Sequence, residues 1–165
     1  MILISKTENF KIVQGIAAKT WPATYDGILS PEQFDYMFSI IYDLRTLQNQ
    51  AKEKKHHFIL ATENEVPLGF ACYELNYKKI TAKIHKIYIM PEMQGKGIGK
   101  KLIDFITNDA KENNQVFLCL NVNRYNKAFY FYTKLGFEKV AEEDIEIGHG
   151  YLMEDFVMLK KINDF

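Results

Sequence analysis

The stretch best suited to chemistry is the glycine-rich turn Gln94–Gly99, which reads QGKGIG. Its glycines let the backbone approach a ligand closely. A turn that opens a helix also leaves backbone N–H groups unpaired at the positive end of the helix dipole. Lys96 and Lys100 add positive charge beside these groups. The turn is therefore predicted to bind a phosphate or pyrophosphate.

A strand must precede this turn and a helix must follow it. Ile87, Tyr88 and Ile89 are β-branched or aromatic, as a buried strand prefers. Pro91 cannot donate to a sheet ladder, so the strand should end near it. The spacing of the glycines differs from that of the nucleoside triphosphate-binding loop and of the dinucleotide-binding motif. The alternative to a phosphate-binding turn is an ordinary loop between a strand and a helix. Apolar residues then recur at helical spacing at Leu102, Ile103, Ile106 and Ala110.

Length and composition restrict the class of protein. The 165 residues are predicted to form one domain, residues 1–165. Lysine plus arginine and aspartate plus glutamate number 21 each, whereas a nucleic-acid-binding protein should be basic. No apolar run approaches a membrane span and no signal peptide is recognisable, so we predict a cytoplasmic protein without nucleic-acid or membrane partners. Cys72 and Cys119 are predicted to be small core residues, and no metal site is predicted.

The rest of the chain alternates helical and strand patterns. Ser30 is predicted to cap a helix that has Pro31 at its first position and Gln33 at the capping-box position. A loop is predicted at 21–27, which contains proline and glycine, and residues 48–55 fit either a helix or a linker. The predicted strands are Ile2–Ser5, Phe58–Thr62, Leu68–Leu75, Thr81–Met90, Val116–Leu120, Glu142–Ile147 and Met153–Leu159.

Two motifs resemble those of the GNAT superfamily of N-acetyltransferases. Gln94–Gly99 is similar to the family's Q/R-x-x-G-x-G/A turn, and Ala128–Phe137 resembles its A-I-x-x-Y-x-K-x-G-F segment. The resemblance implies an α/β protein with the GNAT acyl-CoA N-acyltransferase fold, a mixed sheet of about seven strands with helices on both faces. Residues 21–25 and 148–155 also look like segments of bacterial polyamine-type members.

The resemblance further implies acetyl-CoA (coenzyme A) as the cofactor. Its pyrophosphate would lie on the glycine turn, and its pantetheine would pair with the open edge of the preceding strand. Asn121 and Asn126 compete for the role of a coenzyme-contacting asparagine. The cofactor-binding residues implied in this way are Ile87, Tyr88, Ile89, Gln94, Gly95, Lys96, Gly97, Ile98, Gly99, Lys100, Asn121 and Asn126.

Acetyl transfer to an amine requires a proton for the leaving thiolate and an acceptor for the amine proton. Tyr132 matches the tyrosine that often protonates the thiolate in this family, with plain packing as the alternative role and Tyr130 as a weaker candidate. The family often uses a glutamate as the base on the strand before the turn, but this chain has none there. His85 titrates near neutrality and is predicted to share a strand face with Ile87, so it is the predicted base, through a water. A hydrogen-bonded structural histidine is the alternative, and His149 is a remote reserve.

In this family the first helices and the last hairpin supply most of the acceptor site. Carboxylates combined with aromatic residues would suit a cationic amine. The predicted substrate-binding residues are Trp21, Tyr25, Tyr36, Tyr73, Tyr151, Glu154 and Asp155.

These features together predict an acetyl-CoA-dependent N-acetyltransferase that works by direct attack in a ternary complex. The acceptor would be a primary amine of a small metabolite, such as a polyamine, or of a peptide N-terminus. The alternative function is a non-catalytic acyl-CoA-binding sensor or interaction module, which need keep only the glycine turn. The resemblance also permits a homodimer.

Overall fold

The computed structural model describes residues 1–164 as seven strands and five helices, and Phe165, the last residue of the predicted domain, lies outside the described residues. A short 3-10 turn, Pro91–Met93, precedes the glycine turn. The strands are β1 (Leu3–Lys6), β2 (His57–Glu63), β3 (Val66–Lys78), β4 (Thr81–Ile89), β5 (Phe117–Asn123), β6 (Glu138–Gly148) and β7 (Tyr151–Lys161). The helices are α1 (Phe10–Thr24), α2 (Pro31–Tyr42), α3 (Leu44–Lys52), α4 (Ile98–Glu112) and α5 (Ala128–Lys134).

All seven strands form one mixed sheet in the order β1-β2-β3-β4-β5-β7-β6. β4 and β5 are parallel, and the other neighbouring strands are antiparallel. One face packs against α4 and α5 through residues such as Leu102 and Ile106. The other face packs against α1, α2 and α3 through residues such as Trp21 and Met37. The predicted mixed α/β sheet with helices on both faces is confirmed.

Local signals placed most elements correctly, with one error and one open choice among the helices. The Gln33 N–H donates to Ser30 Oγ at 3.1 Å, as predicted for the start of α2. The loop predicted at 21–27 begins too early, because α1 continues to Thr24 with a proline in its last turn. Packing of the neighbouring Trp21 in the core holds this turn despite the missing N–H. Residues 48–55, which the sequence allowed as either a helix or a linker, belong largely to α3.

Two further observations concern side chains and length. Cys72 and Cys119 are buried and unbonded, as predicted for small core residues. Within residues 1–164, every helix is too short or too polar to cross a bilayer.

The parallel strands β4 and β5 separate toward their carboxyl ends. They pair only between Thr81–Ile84 and Phe117–Leu120. β4 then continues to Ile89 and β5 to Asn123, each paired with its other neighbour. One edge of β4 is therefore open, and the glycine turn follows after the short 3-10 turn.

Candidate active site

The glycine turn places open backbone N–H groups between β4 and α4. Gly95 and Gly97 have φ values of 79° and 80°, a left-handed conformation that favours glycine. Gly97 is the N-cap of α4 and has no side chain to bond the first helical N–H groups. A methyl group added to Gly95 or Gly97 would meet nothing within 4 Å in the described chain. The turn therefore offers donors and free space to an anion.

Gly99 serves packing rather than backbone conformation. A methyl group there would lie 3.0 Å from Cζ of Phe131, so glycine permits the close approach of α4 and α5.

The two lysines predicted to meet the phosphate, Lys96 and Lys100, differ in availability. Lys100 Nζ lies 2.7 Å from a carboxylate oxygen of Asp104, whereas Lys96 makes only a 3.8 Å contact with a methionine sulfur. Lys96 is therefore the freer of the two to meet a phosphate.

Two tyrosines meet between α1 and β4, and a third, Tyr132, lies within electrostatic range of both. Tyr25, which ends α1, and Tyr88, on β4, have hydroxyl oxygens 3.1 Å apart. Tyr132, on α5, is 7% exposed. Burial, followed by the charge of nearby Tyr25, raises the pKa of Tyr132 above that of an ordinary phenol. Tyr132 therefore keeps its proton at neutral pH, as a proton donor requires. Tyr130, the weaker candidate, is 66% exposed.

A buried carboxylate lies near the same tyrosines. Asp155, on β7, is 4% exposed, and its Oδ1 has no hydrogen-bond partner among residues 1–164. Its Oδ2 accepts a hydrogen bond from Asn121 Nδ2 at 3.3 Å, and Glu143 is its cross-strand neighbour on β6. Burial raises the pKa of Asp155, the Asn121 bond opposes this shift, and the Glu143 charge adds to it. We call Asp155, Asn121 and Glu143 the acidic pocket.

The acidic pocket lies within electrostatic range of the tyrosines. Burial is the main cause of the raised pKa of Tyr25, and the charge of Asp155 also raises it. Alternation along β7 places Asp155 on the sheet face that α1, α2 and α3 cover, because Met153 packs there and Met158 packs on the other face. Asp155 therefore lies on the same side of the sheet as Tyr25.

The two asparagines predicted to contact coenzyme A lie in different surroundings. Asn126 Oδ1 accepts a hydrogen bond from the Ala128 N–H at 2.9 Å and so helps to begin α5. Asn121 donates to Glu143 and Asp155 at 3.1 and 3.3 Å, and so orients the two carboxylates of the acidic pocket. A coenzyme contact by either asparagine stays a prediction.

The predicted face of His85 is wrong. A β-bulge in β4 leaves His85 as an extra residue between Ile84 and Lys86, which pair with successive residues of β3. Ile84 and Ile87 consequently pack in the same core cluster although they are three residues apart. The bulge therefore moves His85 off the face that Ile87 occupies.

His85 instead forms a cluster with Glu74 and His56. Its Nε2 lies 2.9 Å from Glu74 Oε1, and His56 Nε2 lies 3.2 Å from the same oxygen. The two imidazole rings stack with centroids 4.1 Å apart. Burial, followed by nearby lysine charges, lowers the pKa of His85 to about 3. Burial, followed by the charge of His85, lowers the pKa of His56 to about 4. Both rings are neutral at pH 7, and His85 is a weaker base than an ordinary histidine.

Two predicted substrate residues lie on the wrong face of the sheet. Tyr73 is fully buried in the cluster beneath α4, and its hydroxyl donates to Asp109 Oδ2 at 2.6 Å. A substrate contact by Tyr73 is therefore contradicted. Glu154 alternates with Asp155 along β7 and so points away from the acidic pocket.

Trp21 is a buried support for the tyrosine pair. Its ring centroid lies 4.6 Å from that of Tyr25, and its Nε1 donates to the Tyr42 hydroxyl at 3.2 Å. Trp21 is 2% exposed, so its contribution to a substrate site would come through the position of Tyr25.

The hairpin of β6 and β7 docks on α2. The Tyr36 hydroxyl donates to the Ile147 carbonyl oxygen at 2.9 Å, and its ring lies 4.3 Å from His149 and 5.8 Å from Tyr151. Gly148 allows this contact, because a methyl group there would lie 2.6 Å from the Tyr36 hydroxyl oxygen. The structure therefore brings Tyr36 and Tyr151 together at the hairpin tip.

Comparison with known proteins agrees with this geometry. Residues 25–153 match the family model described as an acetyltransferase (GNAT) domain. The chain belongs to the GNAT family. Membership in the GNAT family indicates acetyl-CoA-dependent N-acetyltransferase activity, with acetyl-CoA as the cosubstrate.

Relatives of this GNAT protein match different shares of the chain. An uncharacterized N-acetyltransferase of Methanocaldococcus jannaschii is 34% identical over 94 residues, which cover 53% of this chain and 42% of that protein. This chain thus spans less than half the length of that relative. A spermidine N(1)-acetyltransferase of Thermoplasma acidophilum is 29% identical over 152 residues, which cover 89% of this chain and 91% of that protein.

A GNAT structure similar to this chain was determined with coenzyme A bound. The PaiA N-acetyltransferase of Thermoplasma acidophilum in complex with coenzyme A has a TM-score of 0.82 and 27% identity, over 98% of this chain and 99% of that chain. The bound coenzyme A in that structure is consistent with the cosubstrate expected for a GNAT fold.

The GNAT fold brings together several polar side chains whose partners no local motif indicates. They are Tyr88, Glu143 and Glu74. Strand alternation would have paired Glu143 with Asp155 if the register of β6 on β7 had been known. The bulge at His85 leaves no signal in the sequence.

Proposed function

We propose that this GNAT protein transfers the acetyl group of acetyl-CoA to a primary amine of a small cationic metabolite, such as a polyamine, and that residues 1–165 form one catalytic domain. The observation that carries the proposal is the buried Asp155 carboxylate, whose Oδ1 has no partner in the described chain. An unpaired buried carboxylate is costly, and the ammonium group of an acceptor would compensate it.

The coenzyme side of the proposal rests on the glycine turn and the open edge of β4. The pyrophosphate would accept hydrogen bonds from the first N–H groups of α4, beside Lys96. Pantetheine would add to the backbone of Ile87–Ile89 as an extra strand, since an open strand edge offers unpaired donors and acceptors. A backbone N–H on this edge would stabilise the oxyanion of the thioester carbonyl. The other predicted coenzyme contacts are Gln94, Ile98, Lys100, Asn121 and Asn126.

Tyr132 is the proposed acid. The amine nitrogen attacks the thioester carbon, the carbon–sulfur bond breaks, and the thiolate takes the proton of the Tyr132 hydroxyl. The Tyr132 hydroxyl is protonated at neutral pH and therefore has a proton to give to the thiolate. The proton lost by the attacking nitrogen balances the step and must reach a base.

Asp155 is the proposed proton acceptor, directly or through a water. Its raised pKa makes it a stronger base than an exposed aspartate, and it lies near Tyr25 on the acceptor side. His85 is the weaker choice, because Glu74 holds its Nε2 and its pKa is lowered to about 3. A base role for His85 stays a prediction.

A polyamine would engage more than one part of this site. Asp155 and the neighbouring Glu143 present negative charge to the reacting end of the acceptor. Tyr36 and Tyr151, whose rings lie 5.8 Å apart at the hairpin tip, would bind a second ammonium group through their ring faces. This combination favours an acceptor with two or more positive charges.

Release of coenzyme A from acetyl-CoA, followed with a thiol reagent, tests the proposal. The acceptor panel contains spermidine, spermine, amino acids, aminoglycosides and N-terminal peptides. We expect the highest kcat/KM with polyamines. Tyr132→Phe should lower kcat by about 10²- to 10⁴-fold, the usual range for a general acid. Tyr130→Phe makes the same change on an exposed tyrosine of α5 and should leave kcat unchanged.

Other results would contradict defined parts of the proposal. Turnover of peptide N-termini alone would refute the cationic metabolite but retain the acetyl transfer. Binding of acetyl-CoA without turnover of any amine would support the sensor alternative. A protein that does not bind acetyl-CoA would refute the assignment of the glycine turn.

A further inference from the structure

Three side chains of metal-ligand type meet on neighbouring strands, and of these only His85 is also a predicted, weaker candidate for the base of acetyl transfer. His56 directly precedes β2, Glu74 lies on β3, and His85 lies on β4. Both histidine Nε2 atoms approach Glu74 Oε1, at 3.2 Å for His56 and 2.9 Å for His85. One ligand atom from each residue lies within 4.8 Å of the other two. Two imidazoles and one carboxylate form a frequent donor set for transition metals.

The spacing of these atoms suits a tetrahedral centre. Zinc bonds to nitrogen and oxygen are about 2.0–2.2 Å long, so neighbouring ligand atoms in a tetrahedron lie roughly 3.3–3.5 Å apart. The two observed nitrogen–oxygen separations, 2.9 and 3.2 Å, are slightly shorter than this edge. A small outward movement of the three side chains would therefore make room for the ion.

We propose that His56, Glu74 and His85 bind one divalent transition-metal ion, for which Zn²⁺ is the best fit. The β-bulge is the device that assembles the site, because it moves His85 off the Ile87 face. A fourth coordination position would be left to water. The bound ion would tie β2, β3 and β4 together at one point.

The surroundings permit ligation and select among cations. The planes of the two imidazole rings are only 17° apart, so one ring must tilt to direct its nitrogen at a shared ion. His56 can tilt without losing a hydrogen bond at Nδ1, because this atom has no hydrogen-bond partner in the described chain. A cleft of about 530 Å³ is lined in part by His56 and so reaches one edge of the proposed site. The donor set disfavours Mg²⁺ and Ca²⁺, which need several anionic oxygens, because it offers one carboxylate and two nitrogens. Positive charge on Lys54, Lys83 and Lys86 weakens the binding of any divalent cation.

Metal titration of the full chain, stripped with a chelator, tests the proposal. Zn²⁺ binding is measured by calorimetry and Co²⁺ binding by its visible absorption. We expect one ion per chain, tetrahedral Co²⁺ bands and a higher Tm with Zn²⁺. His56→Ala, Glu74→Gln and His85→Asn should each weaken binding by about 100-fold or more, beyond the loss typical of residues that only support a ligand. His57→Ala is the matched control and should bind normally, since His57 stacks on Tyr73.

The outcomes distinguish this site from other metal binding and from the acetyltransferase site. No binding of one ion per chain, or binding unchanged in the His56 and His85 variants, would overturn the proposal. Loss of binding in His57→Ala but not in His56→Ala would also overturn it. Acetyl-CoA affinity and circular dichroism are measured for every variant. A variant that has lost metal but retains both is folded, and its result counts for the site.

Discussion

Asp155→Asn should have opposite effects on catalysis and on stability. The substitution keeps the shape of the side chain and removes one negative charge from a residue that is 4% exposed. In the proposed ternary complex this charge faces an ammonium group, whereas in the free protein Oδ1 has no partner among the described residues. The variant should therefore bind and acetylate the amine poorly but resist unfolding better.

The loss in catalysis follows from the lost ion pair. A hydrogen bond to a charged group contributes roughly 1.5–3 kcal/mol, and about 1.4 kcal/mol corresponds to a factor of ten. Loss of the ion pair alone should lower the kcat/KM for spermidine by about 10- to 150-fold, and the loss of the proposed proton acceptor should lower it further. Glu146→Gln is the matched control, because it removes the same charge from an exposed residue of β6 that alternation places on the other face.

The gain in stability has a defined dependence on pH. Burial raises the pKa of Asp155 in the native state above its pKa in the unfolded state. At pH values between these two pKa values, the native state therefore binds more protons than the unfolded state. The free energy of unfolding of the parent protein should fall as pH rises through this window, and the variant should not show that fall. The advantage of the variant should be absent well below the ordinary aspartate pKa of about 3.9 and complete at neutral pH.

Steady-state kinetics with spermidine and urea unfolding, each at several pH values, measure both effects. An unchanged kcat/KM would refute the role of Asp155 in binding the acceptor. An equal loss in Glu146→Gln would show that net charge, rather than the acidic pocket, attracts the amine. A less stable variant at neutral pH would contradict the inference that the buried charge of Asp155 is only partly compensated.

Three further substitutions test the placement of residues around the site. Gly99→Ala should lower the free energy of unfolding by about 1–3 kcal/mol, because the new methyl group would lie 3.0 Å from Phe131 Cζ. Adding Phe131→Leu should restore most of the lost Tm, because it removes the clashing ring. Tyr73→Phe should cost about 1–2 kcal/mol in urea unfolding through the lost bond to Asp109, while an altered kcat would contradict its position beneath α4. Ser30→Ala should cost about 1 kcal/mol by thermal unfolding, since α2 loses its N-cap, and no change would mean that the cap contributes nothing.

Features that depend on neighbouring residues were predictable from the sequence. The glycine turn, the helix after it and the Ser30 cap follow from steric freedom, periodicity and hydrogen bonding within a few residues. The same local signals overestimated Pro22 as a helix breaker. Burial of Trp21 one position earlier stabilises the last turn of α1, and no local pattern reports that burial.

The sequence by itself determined the family, the coenzyme-binding turn and the phenol at Tyr132, because each is encoded in a short contiguous motif. The tertiary structure decided which polar side chains meet. Asp155 joins Glu143 through the register of β7 on β6, and His85 leaves the Ile87 face through a bulge opposite β3. The physical reason is the two-residue period of a strand: a shift of one residue moves a side chain to the other face, and pairing with distant strands sets that shift.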